Sequence, residues 1–251
     1  MKNEWLLEIE MVKQIVKNVL IKMKKYDLNK YPLFESSKKN KELKSKIDFE
    51  IEDYILNQLT NNSYPIISEE KAVKKKYSEY EYSWIIDPLD GTVNFLRNLQ
   101  LCSISIALWK ENLPIFGVIG EYPSGKLTWG SVEHGSYTEG IPINVSKTKS
   151  KSSSILCTGF PSRLILNEEN FKEYKKYFYE YSKIRMFGSA SVSLLYIAKG
   201  FADAYFEKDI MIWDVAAGIA ILKGAGGKVD YMDGSFQNAI DVYATNNIIE
   251  F

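Results

Sequence analysis

Two aspartates could do chemistry together in the stretch "WIIDPLDGTVNF", where Asp87 directly follows the apolar run 84–86 and Asp90 comes three residues later. The run is short, apolar and rich in β-branched residues, which predicts a buried strand. Because Pro88 fixes its own φ and disfavours helix at the residue before it, the chain turns between the carboxylates. Two carboxylates on one tight turn repel each other unless a cation meets them, and Mg²⁺ prefers such oxygen ligands. The turn therefore predicts a magnesium site, to which the carbonyl of Leu89 could add a ligand.

Gly91 and Thr92 follow the turn and are predicted to open a helix. The first N–H groups of a helix have no partner within it, and they suit an anionic phosphate group. The stretch is therefore interpreted as a metal site with a phosphate site beside it.

Three further acidic residues lie where a predicted element begins or ends. Asp48 is near the start of a helix, Glu69 ends a strand, and Asp214 begins a helix just ahead of small residues at 216–218. Small residues there would let a ligand or another backbone come close. Each acid taken singly has a structural alternative, since Asp48 and Asp214 are good N-caps and Glu69 could simply be exposed.

The periodicity of apolar residues predicts the elements around these motifs. In the first half it predicts helices at about 4–25 and 48–59 and strands at about 64–68, 102–109, 115–121 and 127–131. Turn signals between the last three strands indicate an antiparallel meander. Residues 27–47 are polar and lysine-rich without a period, which is typical of a mobile loop. In the second half it predicts strands near 155–158 and 204–206 and helices at about 168–181, 190–199 and 214–223, the last ended by "GAGG".

The composition is that of an ordinary globular protein. The chain has 251 residues, enough for one large domain or two closely packed lobes, and its formal net charge is +0. Nothing in this balance indicates a nucleic-acid or membrane surface, and no apolar stretch is long enough to span a bilayer. The N-terminus has no signal-peptide pattern, so a cytoplasmic protein is expected. Cys102 and Cys157 lack a C-x-x-C spacing and are predicted to be buried thiols.

The stretch "WIIDPLDGTVNF" resembles the first signature of the inositol monophosphatase family, and "WDVAAGIAILKGAGGKV" (213–229) resembles its second. The stretches "ISEE" (67–70) and "GSASVSLLYIAKGFADAYFE" (188–207) also resemble motifs of that family. The order and separation of the motifs agree with the family, and the resemblance runs from about residue 48 to residue 229.

The resemblance implies the metal ligands residue by residue. Glu69, Asp87 and the carbonyl of Leu89 are expected to hold a first Mg²⁺. Asp87, Asp90 and Asp214 are expected to hold a second, and Glu69 a weaker third. The expected cofactor is therefore two or three Mg²⁺ ions.

The resemblance also implies the catalytic and phosphate-binding residues. Asp48, Glu69 and Thr92 are expected to be catalytic, with Asp48 and Thr92 orienting the attacking water and helping to deprotonate it. The phosphate is expected to bind Asp90, Gly91 and Thr92.

Substrate contacts are expected from Ala190, Glu207 and Asp214. Glu207 suits a polyol, because a carboxylate accepts hydrogen bonds from ring hydroxyls. No covalent enzyme intermediate is required, which agrees with a chain whose single histidine, His134, lies away from every acidic motif and is predicted to be a surface residue.

At the level of the fold, the resemblance implies an α+β protein with a layered α-β-α-β-α sandwich of the sugar-phosphatase type. The active site would lie between an N-terminal lobe of about residues 1–145 and a C-terminal lobe of about 146–251. A homodimer is expected. The stretch "KSKID" (44–48) is a poor match to the family, and residues 30–44 are the least family-like part of the chain.

Several alternatives remain at this stage. A haloacid-dehalogenase phosphatase is disfavoured because the spacing is D-x-x-D-G-T and the motif falls in mid-chain, and an EF-hand is excluded by the residues at its ligand positions. The expected substrate is a small phosphate monoester, with inositol monophosphate or a related polyol or sugar phosphate preferred. The alternatives are 3′-phosphoadenosine 5′-phosphate, histidinol phosphate and fructose 1,6-bisphosphate. A regulatory binding protein on the same fold is the alternative outside the enzymes.

Overall fold

The computed structural model describes residues 5–30, 34–35, 43–59, 64–71, 75–160 and 168–251. Within these residues the helices are Leu6–Met23 (α1), Lys46–Leu59 (α2), Thr92–Leu96 (α3), Glu168–Glu180 (α4), Ala190–Ala198 (α5) and Ile212–Gly224 (α6). The strands of the first half are Phe34–Glu35 (β1), Leu43–Lys44 (β2), Ile66–Ser68 (β3), Tyr82–Asp90 (β4), Cys102–Lys110 (β5), Leu113–Tyr122 (β6), Leu127–Ser131 (β7), Gly135–Thr138 (β8) and Ile141–Pro142 (β9). The strands of the second half are Ile155–Thr158 (β10), Lys183–Arg185 (β11), Ala204–Met211 (β12), Lys228–Asp233 (β13) and Ala239–Thr245 (β14).

Two sheets carry most of the strands. The first has seven strands in the order β3-β4-β5-β6-β7-β8-β9, in which β3 is parallel to β4 and every later pair of neighbours is antiparallel. The predicted meander of three strands is therefore correct, and it continues through β8 and β9. The second sheet has the order β11-β10-β12-β14-β13, with β10 parallel to both of its neighbours.

The helices and sheets alternate in five layers. The apolar faces of α1 and α2 pack on one side of the seven-stranded sheet, against side chains such as Trp84 and Ile86. Helices α5 and α6 fill the space between the two sheets, against Ile85 on one side and Tyr205 on the other. Helix α4 covers the outer side of the five-stranded sheet with Tyr174 and Tyr177. The predicted layered α-β-α-β-α fold is confirmed.

The central position of α6 explains its composition. A helix that is apolar on every side is buried on every side, and the run from Val215 to Leu222 is buried throughout. The helix ends where the glycines begin: Gly226 adopts a left-handed φ of 89°, and its N–H bonds to the carbonyl of Lys223. The predicted C-terminus is therefore correct to one residue.

The predicted loop at 27–47 is partly wrong. Residues 31–33 and 36–42 lie outside the described residues, but β1 pairs with β2 in an antiparallel ribbon, and α2 begins at Lys46 instead of 48. Strands β13 and β14 were not predicted. The alternate side chains of β13 point into solvent, as Asp230 does, so its composition is polar and carries little strand signal.

Three further predictions concern the cysteines, membrane-spanning helices and the division into lobes. Cys102 and Cys157 are buried free thiols, as predicted, and burial raises the pKa of each to about 12. Among the described helices, none combines the length and apolar composition needed to cross a bilayer. The first sheet ends at residue 142 and the second begins at residue 155. The division into lobes near residue 145 stays a prediction.

Gly117 sets the distance between α6 and the seven-stranded sheet, and it offers a test of this packing. A Cβ at Gly117 would lie 2.4 Å from the carbonyl oxygen and 2.5 Å from the Cα of Ala217, so Gly117→Ala must push the helix backbone away. We expect a loss of about 1–3 kcal/mol in the free energy of unfolding, measured by urea denaturation.

Gly120→Ala is the matched control on the same strand. Its added Cβ would meet side-chain methyl groups of Val16 and Leu20 on the opposite face, and these can move more easily than backbone. We expect a smaller loss. Equal losses for the two variants would contradict a close backbone contact at Gly117.

Candidate active site

An irregularity in β4 brings Asp87 and Asp90 to one place. In a regular strand, residues three apart point to opposite faces of the sheet. Here Asp87 pairs with Ser105 and Asp90 with Ser103, so β4 contains one residue more than β5 across this interval. The extra residue is a β-bulge, which turns both aspartates into the same cavity.

The cavity has a volume of about 240 Å³ and takes residues from both halves of the chain. It is lined by Glu69, Asp87, Leu89, Asp90, Gly91, Thr92, Thr158, Gly159, Phe160, Gly188, Ser189, Ala190, Ser193, Glu207, Ile210 and Asp214. Every site residue expected from the sequence is in this lining except Asp48, which reaches the cavity through Thr92. His134 lies outside it, partly exposed, and contacts Ser131.

Three of the carboxylates form a cluster that suits a cation. One oxygen from each of Glu69, Asp87 and Asp214 lies within 4.8 Å of the other two. Asp87 is buried, and its Oδ2 has no hydrogen-bond partner among the described residues. Burial, followed by the charges of Glu69, Asp90 and Asp214, raises the pKa of Asp87 well above its usual range. A buried orphan oxygen among like charges fits a hard divalent cation.

The main chain of the turn supports this cluster. The N–H of Leu89 donates to Oδ1 of Asp87 at 2.9 Å, which leaves the other carboxylate oxygen pointing away from the turn. The carbonyl oxygen of Leu89 lies 3.1 Å from Oγ1 of Thr92, whose single proton is closer to Asp48. A carbonyl oxygen has two lone pairs, so this one retains a position for a cation.

Thr92 on α3, which is partly buried, and Asp48 on α2, which is buried, form a hydrogen-bonded pair. Oγ1 of Thr92 lies 2.6 Å from Oδ1 of Asp48 and donates to it. The other oxygen of Asp48 accepts from the N–H of Ser45 at 2.8 Å, while Oγ of Ser45 accepts from the N–H of Ile47. Asp48 is thus the third residue of α2 and not its N-cap. Together with Ser45, which precedes the helix, it satisfies backbone N–H groups at the start of α2. The fixed carboxylate orients the hydroxyl of Thr92, a residue that lines the cavity.

Asp90 is held by the N-terminus of α5, a feature that the sequence analysis missed. Its Oδ2 accepts from Oγ of Ser189 at 2.6 Å, from the N–H of Ser191 at 2.8 Å and from Oγ of Ser191. Burial raises the pKa of Asp90, although these donors oppose the shift. The only sequence signal was a serine before an apolar helix, which indicates an N-cap, and Ser189 does cap α5 by accepting from Val192.

Glu207 lies on β12, at a second bulge. The register of β12 with β14 shifts between Glu207 and Ile210, so both side chains line the cavity. Oε2 of Glu207 accepts from the hydroxyl of Tyr205 at 2.7 Å, and the carboxylate packs directly against Gly159, where a Cβ would come within 2.5 Å. Burial raises the pKa of Glu207 to about 8. Ala190 lies beside it in the lining.

The amino-acid sequence matches a known protein family over nearly its whole length. A model of the inositol monophosphatase family matches residues 6–250. A protein of Aquifex aeolicus (strain VF5) named fructose-1,6-bisphosphatase/inositol-1-monophosphatase is 35% identical over 165 residues, which cover 65% of this chain and 62% of that protein. A protein of Pasteurella multocida (strain Pm70) named Nus factor SuhB is 34% identical over 188 residues, which cover 73% of this chain and 69% of that protein.

A solved structure is similar over almost the whole chain. The extragenic suppressor protein suhB of Bartonella henselae superposes with a TM-score of 0.83 at 25% sequence identity. The superposition covers 96% of this chain and 95% of that one. The likeness extends through both sheets and the cavity between them.

Replacing Asp87 tests whether the acidic cluster is built for a cation. With a chelator present, Asp87→Asn removes a buried charge that three carboxylates repel, so we expect the midpoint of thermal unfolding to rise by about 2–5 °C at pH 7.5. The same variant should lose the stabilisation that Mg²⁺ gives the wild type. Differential scanning calorimetry with chelator and with Mg²⁺ measures both effects.

Asp203→Asn is the control, because Asp203 is a buried aspartate whose oxygens accept from Ser146 and from the N–H of Ile155. It should lower the midpoint and leave the effect of Mg²⁺ unchanged. A lower midpoint for Asp87→Asn in chelator, as in the control, would argue that Asp87 is only a structural residue.

Proposed function

The chain belongs to the inositol monophosphatase family, and on that premise we propose that it hydrolyses a small phosphate monoester with Mg²⁺ and an activated water molecule. The observation that carries the proposal is the single cavity in which Glu69, Asp87 and Asp214 meet the Thr92–Asp48 pair. Uncatalysed hydrolysis of phosphate monoesters is very slow, so a catalyst must lower a large barrier. Clustered carboxylates and an oriented hydroxyl are the groups that such a reaction uses.

The proposed ligands of two or three Mg²⁺ ions are the acidic residues of the cavity. Glu69, Asp87 and Asp214 would hold the ions, together with Asp90 and the carbonyl of Leu89. When bound, Mg²⁺ supplies positive charge that favours deprotonation of water and stabilises the departing alkoxide oxygen. The orphan Oδ2 of Asp87 supports this proposal.

The proposed base is the Thr92–Asp48 pair, with Glu69 beside it. Since the hydroxyl proton of Thr92 points at Oδ1 of Asp48, the lone pairs of Oγ1 can accept a hydrogen bond from the attacking water. A proton then passes from water to Thr92 as the hydroxyl proton moves toward Asp48. Asp48 is fixed for this task by the N–H of Ser45.

The phosphate is proposed to bind where Gly91 and Thr92 follow the turn, close to Asp90. Gly91 has a left-handed φ of 86°, and a Cβ there would lie 2.9 Å from the carbonyl oxygen of Leu101. Only glycine fits this position without strain, and its place in the lining lets the backbone approach the phosphate closely.

The substrate is proposed to carry one polyol or sugar ring, with inositol monophosphate preferred. A volume of about 240 Å³ lies below the range of roughly 300–1,000 Å³ typical of drug-sized ligands, so one ring with one phosphate fits better than a nucleotide. Glu207, Ala190 and Asp214 line the same cavity as the acidic cluster and would contact this ring. The alternatives are 3′-phosphoadenosine 5′-phosphate, histidinol phosphate and fructose 1,6-bisphosphate, and the Aquifex relative carries the last activity in its name.

We also propose a cytoplasmic homodimer. Leu99 and Met186 are large apolar side chains exposed near the cavity-lining segments, and a second copy of the chain would cover them. A regulatory binding role is the second candidate function, favoured by the relative that is named a Nus factor. The complete set of acids in one cavity supports catalysis over binding alone.

Phosphate release from a panel of substrates tests the proposed reaction. We expect one polyol or sugar phosphate to lead in kcat/KM, chelator to abolish turnover, and Asp90→Asn to reduce kcat by at least about a hundredfold in a folded protein. The panel should include inositol 1-phosphate and each of the alternatives above. Turnover that survives chelator, or a folded Asp90→Asn protein with near wild-type kcat, would refute the magnesium-dependent mechanism. A folded wild type that binds Mg²⁺ but hydrolyses nothing would favour the binding role.

Glu207→Gln tests the contact with the ring. With a pKa of about 8, Glu207 is protonated at pH 6.5, where it resembles glutamine, and it is charged at pH 9, where it accepts stronger hydrogen bonds. We therefore expect KM for a polyol phosphate to rise about tenfold in the variant at pH 9 and less at pH 6.5. An aryl phosphate without hydroxyls is the control substrate, and equal losses on both substrates would exclude Glu207 as a ring contact.

A further inference from the structure

Asn94 joins two chain segments from opposite halves of the protein. Its side chain is buried on α3, and its amide nitrogen lies 2.7 Å from the carbonyl oxygen of Leu101 and 2.7 Å from that of Phe187. Both partners are carbonyls, so only the two hydrogens of the NH₂ group can satisfy them together. Leu101 belongs to the first sheet's half of the chain, and Phe187 precedes α5 in the second. The asparagine is therefore a hydrogen-bonded bridge between the halves.

The segment after Phe187 leads directly to the groups that hold Asp90. Gly188 follows with a left-handed φ of 69°, and a Cβ there would lie 3.3 Å from the Asn94 amide, so the backbone packs against the amide itself. Next come Ser189 and Ser191, which donate to Oδ2 of Asp90.

The segment of residues 90–94 thus contacts the segment of residues 187–191 at both of its ends. One contact is the hydrogen bond from Ser189 to the carboxylate of Asp90, and the other is the hydrogen bond from the amide of Asn94 to the carbonyl of Phe187. Ser103 adds a lateral contact, since its hydroxyl lies 2.6 Å from that of Ser191. The three donors to Oδ2 of Asp90, which are two serine hydroxyls and one N–H, define where its carboxylate can point. Removing the amide would leave the serines held at one end only.

We infer that Asn94 is a positioning residue for the metal site, acting through the Phe187–Gly188 backbone and the serines on the Asp90 carboxylate. The inference rests on the proposed role of Asp90 as a magnesium ligand, and it adds a residue that touches neither metal nor substrate. When a group that hydrogen-bonds to a metal ligand and orients it is removed, metal affinity typically falls by about 10–100-fold. A residue that merely tied the halves together would affect stability alone.

The test is the affinity of Asn94→Ala for Mg²⁺, measured by isothermal titration calorimetry on the full chain. We expect Kd to rise about tenfold or more. Asn246→Ala is the matched control, because Asn246 is also buried and its amide nitrogen also donates twice, to Ser146 and to the carbonyl of Thr148. The control should unfold at a lower temperature and keep the wild-type Kd.

A double-mutant cycle of Asn94→Ala with Ser191→Ala tests whether Asn94 acts on Asp90 through the serines. If Asn94 acts through the serines, the fold-changes in Kd of the two single variants should not multiply in the double variant. Multiplicative effects would overturn the inference. If Asn94→Ala does not fold, Asn94→Ser, which keeps one donor, should show a smaller rise in Kd.

The outcomes separate this inference from the proposed function. A wild-type protein that does not bind Mg²⁺ would overturn both. A wild type that binds Mg²⁺, together with Asn94→Ala at the same Kd but a lower unfolding temperature, would overturn the positioning role alone and leave the proposed phosphatase intact.

Discussion

Mutual repulsion among buried carboxylates is the interaction on which the rest of this structure depends. Glu69, Asp87 and Asp214 bring oxygens within 4.8 Å of one another, with Asp90 in the same cavity. Left to relax, such groups would separate, take up protons or turn toward solvent. Asp87 and Asp90 lie on β4, Asp214 lies on α6, and Glu69 directly follows β3. The repulsion that remains makes the cavity a place where a divalent cation is favoured.

The elements that hold these acids depart from regular geometry where they reach the cavity. Both β4 and β12 contain a bulge, which brings Asp87 with Asp90 and Glu207 with Ile210 to the same side. Two regular strands would present only alternate residues and could not supply these pairs. The irregularities are thus the means by which sheet residues converge on one ligand.

The carboxylates in and next to the cavity have different surroundings. Asp48 accepts two hydrogen bonds and stays fixed as a partner for Thr92, whereas one oxygen of Asp87 is left without a donor among the described residues. Glu207 lies apart from the cluster, beside Tyr205 and Gly159, and burial brings its pKa to about 8. Environment, and not residue type, distinguishes the proposed base, the proposed metal ligand and the proposed substrate contact.

The sequence by itself determined the acids and the type of most elements, because apolar periodicity is a short-range property. The predicted turn at Pro88 is wrong in kind, since β4 continues to Asp90 and contains a bulge there. The sequence also predicted the meander and the helix that ends at the glycines, since these depend on neighbouring residues. It did not predict the bulge at Glu207 or the serines on Asp90. The serines and Asp90 lie about a hundred positions apart, and the bulge arises where β12 pairs with β14. Only the packing of the elements around the cavity decides which distant groups meet.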